Sequence, residues 1–137
     1  MNANGGAAGT GDLPISRRVI GCAFTVANVL GTGFLESVYE NALCIELTEQ
    51  GIPFDRQAAL QVVYKDRVIG NFVADLVVEG VLLVELKALR QLTTDHDAQV
   101  MNYLRACGLG VGLLLNFGAP RLEIRRIVWR HDDAERI

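Results

Sequence analysis

From Ser16 to Leu30 apolar residues recur every three or four positions, with Val19, Cys22, Ala23, Val26 and Leu30 on one face, and predict an amphipathic first helix. Gly31-Thr32-Gly33 interrupts that period. A second helix is expected from about Phe34 to Gln50, with Leu35, Tyr39, Ala42 and Leu43 facing inward and Gly51 as its stop. The period then shortens. Strands are predicted at roughly 55 to 64, 68 to 78 and 81 to 88, joined through Lys65-Asp66-Arg67 and Glu79-Gly80, connections short enough to make an antiparallel meander. Thr94-Asp95-His96-Asp97 is a capping-type start for a third helix that reaches about Cys107 and ends at Gly108. Val111 to Phe117 reads as a buried strand, and Leu122 to Trp129 as another at the sheet margin. Residues 1 to 11, rich in Gly, Ala and Asn, have no period and predict a loose tail, as do the charged residues 131 to 137. One domain over residues 12 to 130 is expected, of α/β (α+β) class, with helices covering a mixed sheet.

Against this pattern three charges stand out. Asp75 sits inside Phe72-Val73-Ala74-Asp75-Leu76-Val77-Val78, and Glu85 and Lys87 lie inside Val81-Leu82-Leu83-Val84-Glu85-Leu86-Lys87. Apolar neighbours imply buried strands, where a charge persists only when paired or bound to a metal. Residues two apart share a strand face, so Glu85 and Lys87 project together while Val84, Leu86 and Ala88 line the other side. A connection spanning Glu79 to Val81 sets Asp75 directly opposite Glu85; a two-residue turn makes them diagonal neighbours. Either way two carboxylates can share a divalent cation with an amine beside it, the equipment for metal-assisted phosphodiester hydrolysis. The competing reading is a buried ion pair with Lys87 that anchors the sheet. Magnesium or manganese suits hard oxygen donors better than zinc, since the sequence has no cysteine cluster and only His96 and His131 as histidines.

Composition narrows the picture only a little. A net charge of -3 argues against a generic basic coat for nucleic acid, though a local basic face is compatible with it. Only Lys65 and Lys87 among the 13 basic residues are lysines. Arg17, Arg18, Arg56, Arg67, Arg90 and Arg105, with a second group at Arg121, Arg125, Arg126 and Arg130, are candidate phosphate contacts or solvated surface charges. Cys22, Cys44 and Cys107 are odd in number and far apart, which suits a reducing cytoplasm better than a disulfide framework. Ser16-Arg17-Arg18 and the apolar stretch after it have the outline of an export signal, but the same residues make a good first helix. No run approaches the roughly 20 apolar residues that span a bilayer, so no membrane partner is expected. Gly31-Thr32-Gly33 lacks the longer glycine motif and lysine of a phosphate-binding loop.

Gly33-Phe34-Leu35-Glu36-Ser37-Val38-Tyr39 resembles the signature of the small bacterial proteins named GxxExxY, a family placed in the PD-(D/E)XK nuclease-like superfamily, and the likeness runs from about Pro14 to Trp129. It implies an αβββαβ core in which Asp75 and Glu85-Leu86-Lys87 are the hallmark acidic residue and Glu-x-Lys. Ala74 stands where the superfamily's name has proline, a departure that removes no ligand. Glu36 would be the helix-borne acid added to the metal site, giving metal ligands Glu36, Asp75 and Glu85; read alone, a Glu in a first turn is simply favoured by the helix N-terminus. Gln99-x-x-x-Tyr103 is similar to a helical motif of RecB-like members, which makes Gln99 a supporting site residue; Tyr103 reads equally as a core aromatic, and His96 as a surface residue. The function implied is a magnesium- or manganese-dependent nuclease acting on nucleic acid, DNA ahead of RNA, with homodimerisation expected because a terminal strand leaves an edge that pairing would protect. The rival is a noncatalytic nucleic-acid- or partner-binding module on the same fold.

Overall fold

The computed structural model describes residues 14–130, so the tails expected over 1 to 11 and 131 to 137 lie outside the described residues. Eight elements follow in order: α1 (Ile15–Leu30), α2 (Glu36–Glu49), β1 (Phe54–Tyr64), β2 (Arg67–Val78), β3 (Leu82–Lys87), α3 (Thr94–Cys107), β4 (Val111–Asn116) and β5 (Glu123–Val128). The strands form one sheet in the order β1-β2-β3-β4-β5, antiparallel except for the parallel pair β3 and β4 that the α3 crossover joins. Every residue of β4 is buried, whereas β5 at the edge is half-buried, which is the contrast the sequence pattern anticipates.

Helices α1 and α2 cover one face. Val19, Val26, Tyr39, Leu43 and Leu47 pack there on Leu76, Val84, Leu86, Leu113 and Leu115. On the other face α3 brings Val100 and Leu104 onto Val77, Leu83 and Leu114. Gly112 admits that approach, since a side-chain carbon at that position would meet Val100 at 2.8 Å.

Three expectations need correction. Helix α2 starts at Glu36, with Leu35 as its extended N-cap and 77% exposed, so Leu35 does not face inward. The segment before it is held by Tyr39, whose hydroxyl donates to the Gly31 carbonyl (2.7 Å) and accepts from the Phe34 N–H (3.2 Å). Gly31 and Gly33 take positive φ values of 67° and 110° there, a conformation that glycine adopts without strain. Third, the N-cap of α3 is Thr93 and not Thr94: the His96 Nδ1 accepts from the Thr93 N–H at 2.9 Å, closing a capping box. His96 thus has a structural task in this helix.

Beyond the helices, β1 and β2 continue as a long two-stranded arm. Its inner residues Phe54, Leu76 and Val78 pack on the α1–α2 side, yet its outer residues Ala58, Leu60 and Ala74 pack on the α3 side, where Phe72 also stacks on Tyr103 at 4.0 Å. In a regular strand all these even-numbered positions share one face. Both strands therefore roll over between the pairs Arg56↔Leu76 and Ala58↔Ala74. Gln57, at the rollover, has φ 51°.

Candidate active site

The Val78↔Leu82 pairing makes the β2–β3 connection span Glu79, Gly80 and Val81, the register that sets Asp75 directly opposite Glu85. Backbone pairing between β2 and β3 runs through Leu76↔Val84. At the next pair the side chains take over: Asp75 N–H donates to Glu85 Oε2 and Leu86 N–H donates to Asp75 Oδ2, both at 2.8 Å. The two carboxylates wedge the strands apart, and a fork opens while β3 stays paired with β4 as far as Lys87↔Asn116. Each carboxylate thus gives one oxygen to the opposite backbone.

Electrostatic coupling shows which side chains the fork collects. Burial pushes the Glu85 carboxyl up to about 7, the Asp75 charge adds to the rise, and the Asp75 N–H and Lys87 oppose it. Asp75 is also raised, chiefly by burial and then by the Glu40 charge, against the Leu86 N–H, Lys87 and the Gln57 amide. Glu36, on an exposed turn of α2, is raised by partial burial and by Asp75, with Lys87 again opposing. Lys87 thus acts on Glu36, Asp75 and Glu85 alike. It is half-buried and, among the described residues, makes no ion pair within 4.0 Å. The alternative in which Lys87 merely closes a buried salt bridge does not describe this geometry.

Gln99 reaches the fork through Tyr103. Its Nε2 donates to the Tyr103 hydroxyl at 3.1 Å, and the Tyr103 phenol is raised by burial and by the negative charges of Glu85 and Asp75. Tyr103 stacks on Phe72 and feels the charges of the acidic cluster.

Two residues that the sequence reading missed adjoin these. Glu40, one turn after Glu36 on α2, is only 6% exposed; it accepts from Arg56 Nε at 2.7 Å and from Gln57 Nε2 at 3.1 Å with both oxygens. Arg56 also donates to Asn41. The i, i+4 spacing of Glu36 and Glu40 was the available signal; nothing in a glutamine on an alternating strand marks Gln57. Arg56 is spent on Glu40, which removes it from the candidate phosphate contacts. Arg18 and Arg125 are likewise engaged, by Glu79 and Asp97, whereas Arg17, Arg67, Arg90, Arg105 and Arg121 are exposed.

The donor set suits a hard cation. Two adjacent carboxylates crowded by like charge offer what magnesium takes when it keeps several waters and binds one or two carboxylates. Among the described residues no group of three or more His, Cys, Asp and Glu side chains stands close enough to hold a metal by itself. Glu36 is an electrostatic neighbour of the pair, acted on by Asp75 and Lys87.

The family model described as the PD-(D/E)XK nuclease superfamily matches residues 14–127. No curated protein matches the chain. Among solved structures the chain resembles the crystal structure of SSO0001, with a TM-score of 0.56 and 17% identity over 72% of this chain and 52% of that one, so it spans about half the other's length and the likeness is one of fold. The mixed sheet between helices, the forked β2–β3 pair bearing Asp75 and Glu85-Leu86-Lys87, and the family match over nearly the whole described region place this protein in the PD-(D/E)XK nuclease superfamily.

Proposed function

We propose that the protein is a metal-dependent nuclease of the GxxExxY type that cleaves phosphodiester bonds in nucleic acid, DNA ahead of RNA, in the cytoplasm. The observation that carries this reading is Lys87: an amine that, among the described residues, makes no ion pair within 4.0 Å, set beside three carboxyls whose pKa values are all raised. A lysine so placed eases the crowding of the carboxylates and, with no ion pair of its own within 4.0 Å among the described residues, can also meet a charge that arrives from outside. Asp75 and Glu85 would hold magnesium or manganese, with Glu36 reaching it directly or through water. The bound ion supplies Lewis acidity at a phosphoryl oxygen and a more acidic water. Lys87 orients the attacking water and offsets charge on the pentavalent phosphate; Gln99 fixes the Tyr103 hydroxyl at the fork's rim. Arg90, exposed three residues after Lys87, is the nearest arginine in sequence for a flanking phosphate.

Cleavage of single- and double-stranded DNA and RNA, assayed with magnesium or manganese for the wild type and Lys87→Ala, tests this. Metal-dependent cleavage lost in the variant is expected. Equal cleavage by both proteins rejects the site, and nucleic-acid binding with no cleavage by either leaves the binding module as the function. A dimer on the substrate would use the open edge of β1 or β5; a single-chain mass by light scattering across micromolar concentrations rejects that part alone.

A further inference from the structure

The rollover of the β1–β2 arm falls on the one rung where Gln57 faces Asp75. The rungs on either side, Arg56↔Leu76 and Ala58↔Ala74, are paired. A non-glycine residue inside a strand rarely takes a positive φ, and Gln57 holds 51°. Its side chain is held as well: the amide donates to both oxygens of Glu40, which is buried and bonded by Arg56. Across the arm Gln57 stands opposite Asp75 in register, between the paired rungs Arg56↔Leu76 and Ala58↔Ala74, close enough for its amide to act on the Asp75 carboxyl. Glu40 is anchored on α2, Gln57 on β1 and Asp75 on β2, so three elements meet through one amide.

We propose that Gln57 is a positioning residue of the active site: clamped by Glu40, it sets the arm's rollover and thereby aims the Asp75 carboxylate at the Leu86 N–H and into the fork. This assigns a site function to a residue outside the hallmark acidic and Glu-x-Lys positions, and it rests on the nuclease reading only for its consequence in metal binding. Partners that orient a ligating carboxylate are worth about 10- to 100-fold in metal affinity.

Gln57→Gly is the informative variant, because glycine accepts the positive φ without strain while losing the amide. Leu86 N–H, bonded to Asp75 Oδ2, reports the carboxylate's place without any activity. Hydrogen exchange should show the Leu86 amide at least about tenfold faster in Gln57→Gly relative to the Leu113 amide in the same protein, and manganese affinity about tenfold weaker. Glu40→Ala, which releases the clamp from its other end, should reproduce the Leu86 effect; Gln61→Gly, an exposed glutamine further along the same strand, should not. Wild-type protection of Leu86 in folded Gln57→Gly or Glu40→Ala overturns the proposal. If wild-type protein binds no manganese, the nuclease reading fails while Leu86 exchange still decides the positioning claim.

Discussion

Two buried polar clusters flank β3, and they are built on opposite principles. Beyond its C-terminal end, Asn116 is fully buried and saturated: its amide donates to the Leu89 carbonyl and Glu123 Oε1, and its oxygen accepts from the Leu89 and Gly118 N–H groups. Glu123 also accepts from Leu92 N–H, and Phe117 N–H donates to the Lys87 carbonyl. Every contact there is local bookkeeping for the loop between β3 and α3. The fork, in contrast, crowds like charges and, among the described residues, gives Lys87 no ion pair within 4.0 Å. A saturated cluster holds a backbone, while an unbalanced one crowded by like charges waits for a ligand.

The sharpest break between the two comes from truncating one residue in each. Lys87→Ala should lower cleavage by about 10²- to 10³-fold while costing much less stability than truncation of Asn116, since among the described residues no ion pair within 4.0 Å is lost and only its longer-range attraction for Glu36, Asp75 and Glu85 goes; a comparable loss of stability would return Lys87 to a structural function. Asn116→Ala should do the reverse in stability, costing about 3 kcal/mol or more because several buried groups lose their partner together, as read by denaturant unfolding. Gly118→Ala should be comparably harmful, because its new carbon would stand 2.4 Å from the Leu89 nitrogen.

Protonation gives a smaller contrast of definite sign. The folded-state pKa of Glu85 is raised from 4.5 to about 7, so the folded protein binds more protons than the unfolded chain between those values. The stability associated with this group is present below about 4.5 and is lost as pH rises through about 7, by at most about 3 kcal/mol. Metal-free protein should accordingly lose stability over that window, and Glu85→Gln should flatten the slope; a wild-type slope in the variant would assign the effect elsewhere. The least effect is expected at the α1–α2 loop. Tyr39→Phe loses two hydrogen bonds and should cost about 1–2 kcal/mol in thermal unfolding, with the Gly33 to Glu36 amides exchanging faster.

Much of this was written in the chain. The apolar runs interrupted by Asp75, Glu85 and Lys87 announced buried strands with a charge requirement, and the β2–β3 connection restricted the carboxylates to two registers, of which the structure takes one. Thr93 was missed because two adjacent threonines both satisfy the cap rule and only the His96 geometry selects between them. Leu35 was misplaced because helical periodicity was carried into a segment that glycine conformation and the Tyr39 hydroxyl hold extended. Gln57 was invisible for a deeper reason: its importance arises from a twist shared by two strands and from a buried partner on a helix distant in sequence. Local propensity carries neither.

The central claim is that the fork binds a divalent cation through Asp75 and Glu85. Calorimetric titration of manganese into wild-type protein and Asp75→Asn at pH 7 measures it directly. Saturable binding accompanied by proton release, because Glu85 is about half protonated before the ion arrives, and at least about tenfold weaker in Asp75→Asn, is the predicted result. No binding by the wild type, or equal binding by both proteins, would contradict the account.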